Sequence, residues 1–166
     1  MNKNYLLFFM IVCYLTPIFY VYYYFNSGNS VSVSNIICDD NCKHSVFFFM
    51  FLMGIGTLLY EIERNDFYSI MLICFLLFGI YGLISIDETF MMHYFFASLV
   101  FIAIFIFMVR HCCLTRANMV LLSSLVLQLV ALLFVAVNLY RGDNIFYGEV
   151  IYILNFAFYY LYLHFM

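Results

Sequence analysis

The chain has no tryptophan and a single proline, and charged side chains make up only 9% of it. The shortage of charge excludes the most. An ordinary soluble domain is about a quarter charged and about half apolar, whereas 68% of this chain is hydrophobic. A soluble fold of this length still exposes roughly 30% of its unfolded surface, too much to keep so apolar a chain in water. The composition calls for lipid as the solvent. Lysine and arginine never stand side by side, and the net charge is −3. This excludes nucleic-acid binding by phosphate neutralisation and polybasic docking on anionic headgroups. The aromatic 23% is all Phe and Tyr, and that Phe-, Tyr-, Ile- and Asn-rich, proline-poor style matches an AT-rich coding genome such as that of a large DNA virus, a protist or an organelle.

Signatures of known chemistry are missing as well. The sequence contains no Walker loop, no G-x-S-x-G elbow and no H-E-x-x-H. Its four histidines fall on both sides of the expected membrane, which argues against a multi-histidine metal hydrolase. Few charges lie inside the apolar stretches, against a proton relay, and there is no arginine-rich voltage sensor. These absences favour a non-enzymatic protein, with no metal and no cofactor. The opening apolar stretch is about 20 residues, longer than the roughly 7–15 of a signal peptide's apolar core, and no A-x-A-like site follows. It reads as an uncleaved signal anchor. Neither end carries a lipidation motif.

What remains is a series of long apolar runs. A membrane helix needs about 20 such residues to cross about 30 Å at 1.5 Å each. Six windows emerge, at about 5–25, 45–62, 67–86, 90–109, 118–140 and 145–166. They are continuous runs, without the period-two alternation of barrel strands. The expected fold is therefore all-α: a single transmembrane domain over 1–166, a polytopic bundle of six helices. Pro17 predicts a kink in the first helix. Asp87, Glu88 and Thr89 leave room only for a tight hairpin between the third and fourth. Gly54, Gly56, Ser69, Gly79, Gly82, Ser98, Ser123 and Ser124 would let helices approach closely. Lys3, Arg64, Arg110 and Arg116 fall on one side, Lys43 and Arg141 on the other. The positive-inside rule then puts both termini in the cytosol.

Several residues are candidates for chemistry. Cys38 and Cys42, around Asp39, Asp40 and Asn41, form a disulfide candidate in an oxidising lumen; with His44 they supply too few ligands for an ordinary zinc site. Cys112 and Cys113, at the cytosolic end of the fourth window, are candidates for S-palmitoylation, the plainer alternative being small interfacial side chains. Asp87, Glu88, His93 and Glu149 make a candidate ligand-binding or polar rim on the outer side. A pair of His93 with Glu149 or Asp87 would hold a headgroup, a proton or a metal; the alternative is that these residues only snorkel to the interface. Glu61, Glu63, Arg64 and Asp66 read as a solvated turn. Gln128, Asn138 and Asn155 read as interhelical hydrogen-bonding groups, each worth about 0.6 kcal/mol.

Taken together, the layout resembles the six-helix family of damage-regulated autophagy modulators, which includes a branch acting in GPI-anchor remodelling and a fungal branch linked to phospholipid distribution. The resemblance is carried by a long outer loop after the first helix, Arg64 after the second, Ser69, Gly79 and Gly82 in the third, and His93, Ala97 and Phe101 opening the fourth. Arg110 and Arg116 follow, and Glu149 stands near the start of the sixth. It implies a non-enzymatic, multi-pass protein of lysosomal, endosomal or ER membranes, or of the plasma membrane, that modulates autophagy or lipid arrangement. Its partners would be membrane lipids and other membrane proteins, and no nucleic acid. Two other readings compete. One is a structural subunit of a larger membrane complex. The other is a lipid-handling enzyme or transporter built on the His93 rim.

Overall fold

A computed structural model describes residues 3–24, 32–37, 43–115 and 118–165. Every regular element among them is helical: α1 (Lys3–Tyr24), α2 (Val33–Ile37), α3 (Lys43–Arg64), α4 (Phe67–Ser85), α5 (Met91–Leu114), α6 (Met119–Arg141) and α7 (Phe146–Phe165). Five of these, α1, α3, α4, α5 and α6, are long and apolar enough to cross a membrane, which is compatible with a multi-pass membrane protein. The expectation was six. The helix over the sixth window, α7, has the length, 20 residues, but Glu149, Asn155, His164 and five tyrosines dilute its apolar character. The short α2 was not expected, because a search for membrane-length runs passes over five residues.

Helix boundaries follow from local chemistry. α3 ends at Arg64, where Asn65 takes a left-handed φ of 57°, a conformation asparagine tolerates better than most residues. Asp66 then caps α4, accepting from the Ser69 N–H at 3.3 Å and the Ser69 hydroxyl at 3.0 Å. Asn118 caps α6 through the N–H groups of Val120 and Leu121, at 2.9 and 3.3 Å. α6 stops at Gly142, φ 72°; Asp143 N–H reaches back to the Asn138 carbonyl at 2.9 Å, a Schellman-type ending. α1 continues helical through Pro17. α5 runs past the fourth window to Leu114, because helix continues beyond the residues that hydrocarbon would cover.

The chain forms two compact units. The first is Met1–Asn26 with Ser34–Ala103. In it α1 packs on α3 and α3 on α4. Glycines sit at the contacts: Gly56 against Met10, Gly54 against Leu77, Gly79 against Val100, Gly82 against the Phe96 ring. The second is Ser27–Val33 with Ile104–Met166, in which α6 packs on α7 and the Phe107 ring meets Phe156 edge-to-face and Tyr160 at a tilt. Large apolar side chains cover the exterior as well as the core, and several polar ones are buried. Gln128, Asn155 and Glu61 are buried, while Phe75, Phe78, Leu129, Val130 and Leu133 are exposed. In water so much apolar surface would be a liability; in lipid it is the expected exterior.

Candidate functional site

The predicted rim divides between the two units. Asp87, Glu88 and His93 belong to the first, where they shape the turn from α4 into α5. The Thr89 N–H donates to Asp87 Oδ1 at 3.0 Å and the Phe90 N–H to the Asp87 carbonyl at 3.1 Å. Hydrogen bonds from the Thr89 backbone and side chain hold the Asp87 carboxyl below the usual carboxylate range; slight burial opposes them, and His93 and Lys43 add smaller attractions. Glu88 Oε1 accepts from Asn35 Nδ2 at 2.6 Å. His93 is buried, and its Nδ1 lies 2.9 Å from the Ile86 carbonyl oxygen. A carbonyl can only accept, so Nδ1 carries the proton. The ring thus ties the first turn of α5 to the end of α4.

Glu149 belongs to the second unit. It sits in the first turn of α7, 9% exposed, and its Oε2 accepts from the N–H of Val33 at 2.6 Å. Among the described residues, no group of three His, Cys, Asp or Glu side chains is placed to hold a metal ion. Each of the four rim residues therefore engages protein, three of them through backbone groups.

Each unit also holds a buried polar cluster. In the first unit, Glu61 is fully buried in the last turns of α3. Arg64 Nη1 lies 3.3 Å from its Oε2, and Tyr14, hydrogen-bonded to Thr57, is close by on α1. The charged turn expected to be solvated thus turns one carboxylate inward; Glu63, by contrast, is exposed. The signal for this was the run Gly54, Gly56, Thr57, Tyr60, Glu61, which places Glu61 on the same helical face as the packed small residues.

In the second unit, the polar side chains of α6 and α7 meet as expected. Ser124 Oγ donates to Asn155 Oδ1 at 2.7 Å, and Asn155 Nδ2 donates to the Ser124 carbonyl at 2.8 Å and to Gln128 Oε1. Gln128 Nε2 donates to the Tyr152 carbonyl at 3.1 Å. Asn138, grouped with them from sequence, instead gives its carbonyl to the end of α6. Beside this network runs an open groove of about 560 Å³, walled by Val120, Leu127, Ile151, Leu154 and Phe158. Tyr159 Oη donates to the Met108 carbonyl on α5 at 2.7 Å.

Of the cysteines, Cys38 and Cys42 lie outside the described residues. Cys113 is exposed, Cys112 half-buried, Cys13 buried and Cys74 exposed on α4. Comparison with known protein families, curated proteins and solved structures gives no match.

Proposed function

We propose that this chain is a non-enzymatic, multi-pass membrane protein with six spans and both termini in the cytosol. The observation that carries the sixth span is the state of α7's polar side chains. Asn155 is bonded to Ser124 and Gln128, and Tyr159 to the Met108 carbonyl. Groups already satisfied by protein do not need water, so they weigh less against insertion than their hydropathy implies. Epitope tags at the two ends test the count. In cells with only the plasma membrane permeabilised, six spans expose both tags together. A five-span chain places them on opposite sides of the membrane.

The non-enzymatic reading is supported by the rim. Asp87, His93 and Glu149 are engaged with backbone groups that fold turns and helix ends. Together with the layout resembling the autophagy-modulator family, this favours a protein acting on lipid arrangement or trafficking in an endomembrane through its packed body. Reconstituted in liposomes, the chain is expected to turn over no lipid and to carry none across the bilayer. Lipid turnover or transport that disappears in His93→Ala would establish the enzyme or transporter reading instead.

A further inference from the structure

We propose that the groove between α6 and α7 binds a sterol, whose hydroxyl donates a hydrogen bond to the groove floor. The inference rests on α7 lying in the membrane beside α6, as proposed above. Two independent observations carry it: the apolar cleft itself, and the hydrogen-bonding capacity left on its floor.

The groove is an open cleft of about 560 Å³ within the second unit, inside the range of about 300–1,000 Å³ usual for small-molecule sites. Its walls are apolar, and Leu127 on α6 and Ile151 on α7 are exposed side chains. The floor is polar. Ser124 and Asn155, only 5% and 7% exposed, line it together with Ser123. Asn155 gives one amide hydrogen to the Ser124 carbonyl at 2.8 Å and the other to Gln128 Oε1. Ser124 Oγ spends its hydrogen on Asn155 Oδ1 at 2.7 Å. Ser123 Oγ spends its own on the Met119 carbonyl at 2.8 Å. Every side-chain donor on the floor is thus used within the protein. What remains are lone pairs, on the two serine oxygens and on Asn155 Oδ1. The floor can accept a hydrogen bond and has none to give.

A ligand that fits such a floor must bring a donor and need no donor in return. The polar groups of phospholipids and diacylglycerols are rich in phosphate or ester oxygens. Held against this floor, those oxygens would be buried without partners, which is costly. A fatty-acid carboxylate fails for the same reason. A sterol carries one hydroxyl on an otherwise apolar body. Its hydrogen meets an acceptor, and its body covers the apolar walls. A bare lipid tail can lie against the same walls but leaves the floor's lone pairs unused. The hydroxyl adds a hydrogen bond in a place where no water competes for it.

The test uses the full chain in liposomes holding a photoreactive cholesterol analogue with a free hydroxyl. Light-driven labelling is expected on peptides of α6 and α7, and excess cholesterol should suppress it. The methyl ether of cholesterol has the same body and no donor. It should compete roughly threefold to tenfold less well, the worth of one hydrogen bond. Leu127→Trp and Ile151→Trp each fill the groove from an exposed position on one helix, and both should abolish the suppressible labelling while keeping the wild-type unfolding midpoint. Labelling that cholesterol does not suppress, that falls outside α6 and α7, or that persists in both tryptophan variants overturns the proposal. So does equal competition by the methyl ether. Terminal tags separate the two readings. With both tags on one side and no suppressible labelling, sterol binding alone fails; with no such labelling and the tags on opposite sides, the six-span topology has failed as well.

Discussion

Where α4 meets α5 the contact is made by the absence of side chains, and where α6 meets α7 it is made by amides. At Gly79 a Cβ would stand 2.7 Å from Val100 Cγ2 and 3.3 Å from the backbone of both Phe96 and Val100. At Asn155 the two helices instead share hydrogen bonds through Ser124 and Gln128. Both are answers to one problem. Lipid tails are as apolar as leucine, so burial of apolar surface does not drive helices together. Close packing and internal hydrogen bonds must do it. The difference predicts how each contact fails: the glycine contact by overfilling, the amide contact by stranding a partner.

The largest effect is expected from Gly79→Leu. Two of the three nearest atoms are backbone, so the helices themselves must part. Overpacking of this kind costs about 2–3 kcal/mol, read as a fall in unfolding midpoint in detergent. Gly82→Ala is the control that sharpens the contrast. Its new Cβ would overlap Cγ and both Cδ atoms of the buried Phe96 ring, which must shift, but one methyl against a side chain should cost less than a leucine driven between two backbones. In the second unit, Asn155→Leu leaves Ser124 Oγ and Gln128 Oε1 without that partner, at about 1–2 kcal/mol. Adding Ser124→Ala and Gln128→Leu should recover part of the loss, because removing both partners costs less than stranding one. If the triple variant is no better than the single, the network is not what joins these helices.

These positions also show how far the sequence could be read. The long apolar runs located every long helix, because the requirement that lipid imposes on the backbone is local and visible as hydropathy. Gly79, Gly82, Gln128 and Asn155 were legible as contact-makers for the same reason: small or polar residues inside such runs have few other uses. Glu61 was misjudged, since four charged residues at a turn look alike until the helix phase decides which one faces inward. The rim residues were grouped from sequence, but the bonds that Asp87, His93 and Glu149 make to backbone at turns and helix ends were not foreseen. Whether His93 binds a ligand or the Ile86 carbonyl depends on where α4 ends, and hydropathy locates an end only to within a turn or so. α2 left no signal at all, since five residues carry no membrane-length pattern.

Smaller effects separate a packed contact from a bonded one. Tyr159 is fully buried, and its hydroxyl bonds to the Met108 carbonyl on α5, beside the Phe107 contacts with Phe156 and Tyr160. Tyr159→Phe keeps the ring and removes the bond, and about 0.6 kcal/mol is expected. A loss near zero would mean that ring packing alone holds α7 to this part of α5.

The smallest effect belongs to Asp87, at the turn of the glycine-packed unit, and it is distinguished by its pH dependence. Its carboxyl is held below the usual range by the two Thr89 hydrogen bonds, so the ionised form is favoured by folding. A carboxyl depressed in the folded state stabilises fully above its unfolded value, about 3.9, and the contribution is lost as pH falls through the folded value. Asp87→Asn keeps an oxygen for the Thr89 N–H but removes the charge. Near neutral pH the variant should unfold slightly below the wild type; the two midpoints should converge as the pH is lowered from about 5 to 3. A difference that stays constant over that range would mean that the turn depends on the shape of the side chain at position 87, with ionisation contributing nothing, and the α4–α5 hairpin would then rest on glycine packing and the His93 bond to the Ile86 carbonyl.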